Sequence, residues 1–215
     1  PRAWTDAVAA ATARLLESTG TDPSAVAGLV ISGQMMGAVL LDGACEPVRP
    51  AIIWADTRAG EQTRRLADRL GEQAAYELLG HRLNPTYSVE KVMWVRDHEP
   101  EAFARTRTVC LAKDFVISQL TGRVATDRSD ASSTNAYDQA AGTWSAAVLE
   151  AAGLDPSLFP EILEATDVVG TLTRQAACAT GLLPGTRVVM GGGDGPIAAV
   201  GAGIVAPADG AYVCL

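Results

Sequence analysis

The chain has 215 residues, 48% hydrophobic, 20% charged and 5% aromatic, the profile of a globular protein long enough to bury its own core. Its formal charge of -8 argues against non-specific binding to nucleic acid and against an anionic membrane surface. Four scattered cysteines with no C-x-x-C pair, and only two histidines, His81 and His98, exclude a zinc ribbon, a thioredoxin-like motif and a His-rich metal centre, so no metal ligand is assigned.

The predicted elements alternate between helix and strand. Apolar residues at helical spacing, Trp4, Val8, Ala11 and Leu15, predict a first helix over 4–18, stopped by Gly20. Ala27 to Ser32 is a nearly continuous apolar run, the pattern of a strand buried on both faces. Gly33 to Gly37 interrupts it, and Ala38 to Leu41 reads as a second strand. Pro50 to Trp54 reads as extended, and Thr57 to Leu79 as a helix ended by Gly80. A further helix spans Ser88 to Arg105, with a break at Pro100. Thr108 to Leu111 is a strand, and Lys113 to Leu120 a helix closed by Gly122. Thr126 to Asp138, rich in Ser, Asp and Asn, reads as loop or hairpin. Short helices follow over 144–152, 156–164 and 171–180. Arg187 to Met190 is a strand running into Gly191-Gly-Gly-Asp194-Gly195, and Pro196 to Ile204 a small-residue helix. Residues 29–32, 38–41, 108–111 and 187–190 are expected in one mixed sheet flanked by helices, an α/β class. The run Ala211 to Leu215 reads as a strand cut at its end. Together with a first residue that is not Met, it suggests an excerpt of a longer protein. No apolar run reaches the ~18 residues of a membrane span and no signal peptide opens the chain. Cys45, Cys110, Cys178 and Cys214 are expected to be small buried hydrophobes in a reducing cytosol, which places the protein in the cytoplasm.

Three segments carry candidate chemistry. Asp194 follows three glycines at a strand's carboxyl end and a helix's amino end, where open α/β sheets bind ligands. An exposed carboxylate there suits a base toward an alcohol; a mere helix cap is the equal alternative. The same segment fits G-x-G-x-x-A poorly as a dinucleotide fingerprint. The chain ends too soon after Ala198 for the ribose-binding acid, and Pro196 removes an N–H. Gln34, flanked by glycines, suits hydrogen bonds to a polyol. Met35 and Met36 form either an apolar wall or core filler. The Trp54 ring suits the C–H face of a sugar, with Asp56 and Arg58 beside it; alternatively Trp54 is core and Asp56 caps the next helix.

The runs SGQMMGAVLLD, RPAIIWADTR, YSVEKVMWVRDHEPE, ATDRSDASST and VVMGGGDGPIAAVGAG, in this order, resemble the FGGY family of carbohydrate kinases, closest to its xylulose kinase branch. The family's helix signature is met by Ser88, Lys91, Trp94, Asp97 and His98, with Thr86 where Met, Phe, Tyr, Gly or Ser is usual. The resemblance implies an actin-like (ribonuclease H-like) α/β fold and transfer of the ATP γ-phosphoryl group to a sugar or polyol hydroxyl, a ketopentose such as D-xylulose, with Mg2+. It implies Asp194 as the base, and Gln34, Met35, Met36, Trp54, Thr86 and Gly195 at the sugar. Met36 stands where xylulose kinases usually carry His, and Gly195 where they carry Asn or Gln. Residues 1–205 are then the sugar-binding domain without its first phosphate-binding hairpin, and 206–215 the start of a nucleotide-binding domain. ATP and Mg2+ are expected to be held mainly by parts of the protein outside this chain, and the 215-residue chain alone is expected to be inactive. The partners implied are a small-molecule sugar and, optionally, a second copy in a homodimer, with neither nucleic acid nor membrane. The alternative is a catalytically inactive sugar-binding or scaffolding module of the same fold.

Overall fold

Glycines and prolines punctuate the chain largely where the sequence places them. The computed structural model describes residues 1–211. Its elements in chain order begin with α1 (Arg2–Thr19), β1 (Gly28–Gly33), β2 (Val39–Leu41), α2 (Gly60–Leu70), α3 (Glu72–Leu79), α4 (Ser88–His98) and α5 (Pro100–Arg105). There follow β3 (Thr108–Cys110), α6 (Ala112–Thr121), β4 (Ala125–Asp127), α7 (Arg128–Ser132), β5 (Tyr137–Asp138), β6 (Thr143–Trp144) and α8 (Ala146–Ala152). The last are β7 (Glu161–Leu163), β8 (Val168–Thr171), α9 (Arg174–Thr180), β9 (Arg187–Gly193) and α10 (Asp194–Gly201). The break at Pro100 is present, because Pro opens α5 and cannot continue α4. The single helix expected over 57–79 is two, divided at Gly71 with φ 78°.

Several expectations are corrected. The helix expected over 156–164 is a single turn, Pro156–Leu158, followed by β7, which pairs in parallel with β4. The helix expected from 171 starts at Arg174, because the Thr173 hydroxyl caps it by accepting from the Ala176 N–H; the residues before it form β8. The segment 126–138 holds β4, α7 and one arm of the β5–β6 hairpin. The four expected strands do not share one sheet. β1 and β9 are parallel in a three-stranded mixed sheet of order β1-β9-β8, whereas β2 and β3 form a separate antiparallel pair. Nor is β1 buried on both faces: Val30 is 65% exposed, and only Ile31 in this strand is buried. On α1 the packing face is Trp4, Val8 and Leu16 rather than Leu15, which is exposed. Of the cysteines only Cys110 is buried; Cys178 is exposed on α9, and Cys45 is half-buried. Cys214, with the strand expected to 215, lies outside the described residues. No helix among the described residues is long and apolar enough to cross a membrane.

Two cores result. One packs α2, α3, α4 and α8 against β2 through Leu40, Ile52, Leu66, Leu79, Val89 and Met93. The other packs α6 and α9 against β1, β8 and β9 through Ile31, Ile117, Leu120, Leu172, Val188 and Met190. The segment between β1 and β2, residues 34–38, crosses from one core to the other.

The β1–β9 register slips once. Val30 pairs with Val189 and Ser32 with Gly192, so β9 carries an extra residue, and pairing resumes at Gly33 and Gly193. Gly191 sits at this bulge with φ 67°, and a Cβ there would lie 1.9 Å from the Ile31 carbonyl oxygen. Gly191→Ala is therefore expected to cost about 2–4 kcal/mol, from left-handed strain plus a backbone clash. Chemical denaturation checks this, and a loss below about 1 kcal/mol would mean that the strand relaxes around the methyl group.

Candidate functional site at the carboxyl edge of the sheet

Gly33 and Gly193 are register partners on parallel strands. Gln34 and Asp194 come next on each strand, so both leave the same carboxyl edge, where ligands bind in α/β sheets. Gln34 is half-buried, and among the described residues its amide has no hydrogen-bond partner. Asp194 is exposed and is the first residue of α10. The cap position belongs to Gly193, with no side-chain cap bond, so the helix-cap alternative for Asp194 does not hold. Its Oδ1 accepts the Gly195 N–H at 2.9 Å, and among the described residues no other hydrogen bond reaches the carboxylate. Met35 lies against this loop: a Cβ on Gly193 would be 2.5 Å from Met35 Cγ, and one on Gly195 3.9 Å from its Sδ. Half-buried Met35 is thus an apolar wall beside Asp194, and Gly193 must be glycine to admit it.

The other expected residues meet on a buried lysine that sequence reasoning used only as a signature match. Lys91, fully buried on α4, donates to the Met36 carbonyl at 2.8 Å, to the Ile53 carbonyl at 2.8 Å and to the Thr86 carbonyl. One ammonium therefore fixes three segments, those of Met36, Trp54 and Thr86. Burial lowers its pKa to about 8, against the opposing charges of Asp56 and Glu90. Met36 is held with φ 62°, rare for a bulky side chain, and its N–H donates to Ser133 Oγ at 3.1 Å. Thr86 Oγ1 is 3.8 Å from Met36 Sδ and donates to Asn84 Oδ1 at 2.9 Å. Trp54 is 55% exposed, which removes the core reading. Asp56 does not cap α2, which starts at Gly60; it accepts from the Arg58 N–H and guanidinium, and those bonds hold its pKa down.

α7 braces both strand ends. The Gly193 N–H donates to Ser129 Oγ at 2.9 Å, as the Met36 N–H does to Ser133 one turn later. Ser129 donates in turn to Asp127 Oδ2. Asp127 belongs to a buried cluster in which Lys113 Nζ is 2.7 Å from Asp114, 3.1 Å from Asp127 and 3.4 Å from Asp130. Burial by itself would lower the Lys113 pKa, but the three carboxylates more than offset that and raise it. Burial, with the neighbouring Asp114 charge, raises the Asp130 pKa well above its ordinary value, against the Lys113 ammonium. These residues escaped sequence reasoning as site residues. The available signal was Ser129 and Ser133 one turn apart behind a capping Asp127. A cleft of about 590 Å³ lies elsewhere, between α2 and α3 near Gln73, Tyr76 and Arg82, and none of the expected site residues lines it.

The family model for the FGGY family of carbohydrate kinases, N-terminal domain, matches residues 1–201. The chain belongs to this family. It is 34% identical over 205 residues to a xylulose kinase of Bacillus subtilis (strain 168) and 37% identical over 205 residues to one of Streptomyces rubiginosus, in each case covering 95% of this chain and 41% of the relative. A solved xylulose kinase from Rhodospirillum rubrum superimposes with a TM-score of 0.90 at 31% identity, over 96% of this chain and 42% of that one. The chain therefore spans less than half the length of the relatives it matches. The α/β fold is the actin-like fold expected for the FGGY family. A gluconate kinase from Lactobacillus acidophilus, at TM-score 0.84 and 24% identity over 93% of this chain and 40% of its own, shares that fold.

Replacing Lys91 by Met would strand three carbonyls in a buried site, each worth about 1–3 kcal/mol when left unpaired. Lys91→Met is expected to destabilise the protein by about 3 kcal/mol or more in chemical denaturation. A loss under about 1 kcal/mol would show that the three segments hold their places without it.

Proposed function

We propose that the protein, in its full length, transfers the γ-phosphoryl group of ATP to a hydroxyl of a sugar or polyol, and that the substrate is a ketopentose such as D-xylulose. The observation that carries this reading is the paired ends of β1 and β9, from whose carboxyl edge Gln34 and the exposed Asp194 both emerge. The xylulose kinase relatives support the choice of substrate. Gln34 hydrogen-bonds the polyol. Met35 and the Trp54 ring offer apolar surface to its C–H faces, and the Thr86 side chain and the Gly195 backbone border it. Asp194 accepts the proton of the attacking hydroxyl. Phosphoryl transfer runs through a loose transition state, so that proton leaves late and an ordinary carboxylate suffices. Met36 offers a thioether where a ring N–H is usual, which removes one donor to the sugar.

ATP supplies the phosphoryl group, and Mg2+ accompanies the nucleotide. The described residues do not fit a resident metal: their buried carboxylate cluster is filled by Lys113, and Asp194 stands as a single exposed carboxylate. Residues 1–205 form the sugar-binding domain and 206–215 begin the nucleotide-binding one, a division supported by the end of the family match at 201. The protein acts in the cytoplasm, as a monomer or a homodimer.

In the full-length enzyme Asp194→Asn is expected to lower kcat by about 10²–10⁴-fold with sugar affinity nearly unchanged, because Asn binds a hydroxyl but cannot take its proton. Steady-state kinetics and sugar binding on this variant test the assignment. Retention of more than about a tenth of wild-type kcat removes Asp194 as the base. The 215-residue chain alone is expected to release no ADP in the presence of sugar and ATP, and a coupled assay reads this directly.

A further inference from the structure

Glu90, on α4, is fully buried, as is Asn135, which follows α7 with φ 64°. Asn135 Nδ2 donates to Glu90 Oε1 at 2.6 Å. Their other two polar atoms, Glu90 Oε2 and Asn135 Oδ1, are both buried and both lack a partner. A carboxylate and an amide can make only one hydrogen bond in this arrangement, which leaves two acceptors unsatisfied in the core. A carboxylic acid and an amide can make two, closing a ring, because the acid supplies the missing donor. Exchanging the amide N and O does not remove the need: Oδ1 would then face Oε1 and still require a proton between them.

We propose that Glu90 is a neutral carboxylic acid in the folded protein, joined to Asn135 by two reciprocal hydrogen bonds that tie the turn after α7 to α4. The Thr134 carbonyl also accepts the Val89 N–H at 2.9 Å, tying the Asn135 turn to the same helix. Asn suits position 135 because it tolerates the left-handed conformation.

The ionisable groups around Glu90 offset its burial only in part. Lys91, its neighbour, points its ammonium at three carbonyls. Tyr87 is half-buried, and burial together with the Glu90 charge raises its pKa. From α2, Arg65 pairs with Asp97 further along α4, and Glu99, just past α4, pairs with Arg49. Burial accordingly pushes Glu90 from its ordinary value of 4.5 up to about 8, against the lowering effects of Asn135, Lys91 and Asn84. The sign of the linkage follows. Above its ordinary value the unfolded glutamate ionises while the folded one keeps its proton, so this group's contribution to stability falls as pH rises from about 4.5 to about 8, then levels off.

The test uses wild type and Glu90→Gln, whose amide makes the same two bonds with Asn135 without a titratable proton. The infrared difference between the two proteins at pH 7 is expected to contain the C=O stretch of a protonated carboxylic acid, disappearing with a midpoint near pH 8. In chemical denaturation, wild type is expected to lose stability relative to Glu90→Gln across pH 4.5 to 8. Carboxylate bands alone, or a stability gap independent of pH, would overturn the proposal. Failure of Glu90→Gln to fold would overturn it as well. Neither readout involves sugar or ATP, so the result stands apart from the proposed activity.

Discussion

The ammonium of Lys91 is a buried cation on which three segments of the candidate site converge. The segments around Met36, Ile53 and Thr86 lie outside the regular elements; the Ala38–Ile52 bridge joins the first two, and the Ser88 hydroxyl reaches the Gly37 carbonyl. Three carbonyls converging on a single Nζ add a tie common to all three. The arrangement also explains why a charge is tolerated inside the core. Carbonyl dipoles replace part of the lost hydration, and burial still shows as a lowered pKa.

The opposite wall is set by backbone. The bulge at Gly191 restores register at Gly33 and Gly193, so that Gln34 and Asp194 emerge side by side. Close approach is then the governing constraint. Gly33 lies against α6, where a Cβ would sit a tight 3.1 Å from Lys113 Cβ, and Gly193 lies against Met35, where one would sit 2.5 Å from Met35 Cγ and force a shift. α7 joins the walls through two hydroxyls, Ser129 and Ser133, and Lys113 secures that helix from below through Asp127 and Asp130. The residues 34–38 bridge the two hydrophobic cores, so the site lies at their junction. A shift of one core against the other would be felt there first.

Much of this was legible in the sequence because it follows from local rules. Apolar runs gave β1, β2, β3 and β9. Helical patterns gave α1, α4, α6 and α8, and the motifs singled out Gln34, Met35, Met36, Trp54, Thr86, Asp194 and Gly195 as candidate site residues. The errors share a cause. β7 and β8 are short, three and four residues, and their identity as strands comes from partners distant in the chain rather than from their own pattern. The exposure of Val30 likewise depends on what packs against the sheet, which an apolar run cannot reveal.

By itself the sequence determined the element types where the period is strong, the punctuation by Gly and Pro, and the candidate site residues, because those are properties of neighbouring residues. Only the tertiary structure decided how they combine. It divided the expected sheet into a mixed three-stranded sheet and a separate pair, and gave the cap position before α10 to Gly193, leaving the Asp194 carboxylate exposed. It also turned Lys91, Lys113 and Glu90 inward. For a buried charge the physical reason is plain: its state is set by partners up to 55 positions away, and burial brings those partners within reach only once the cores have formed.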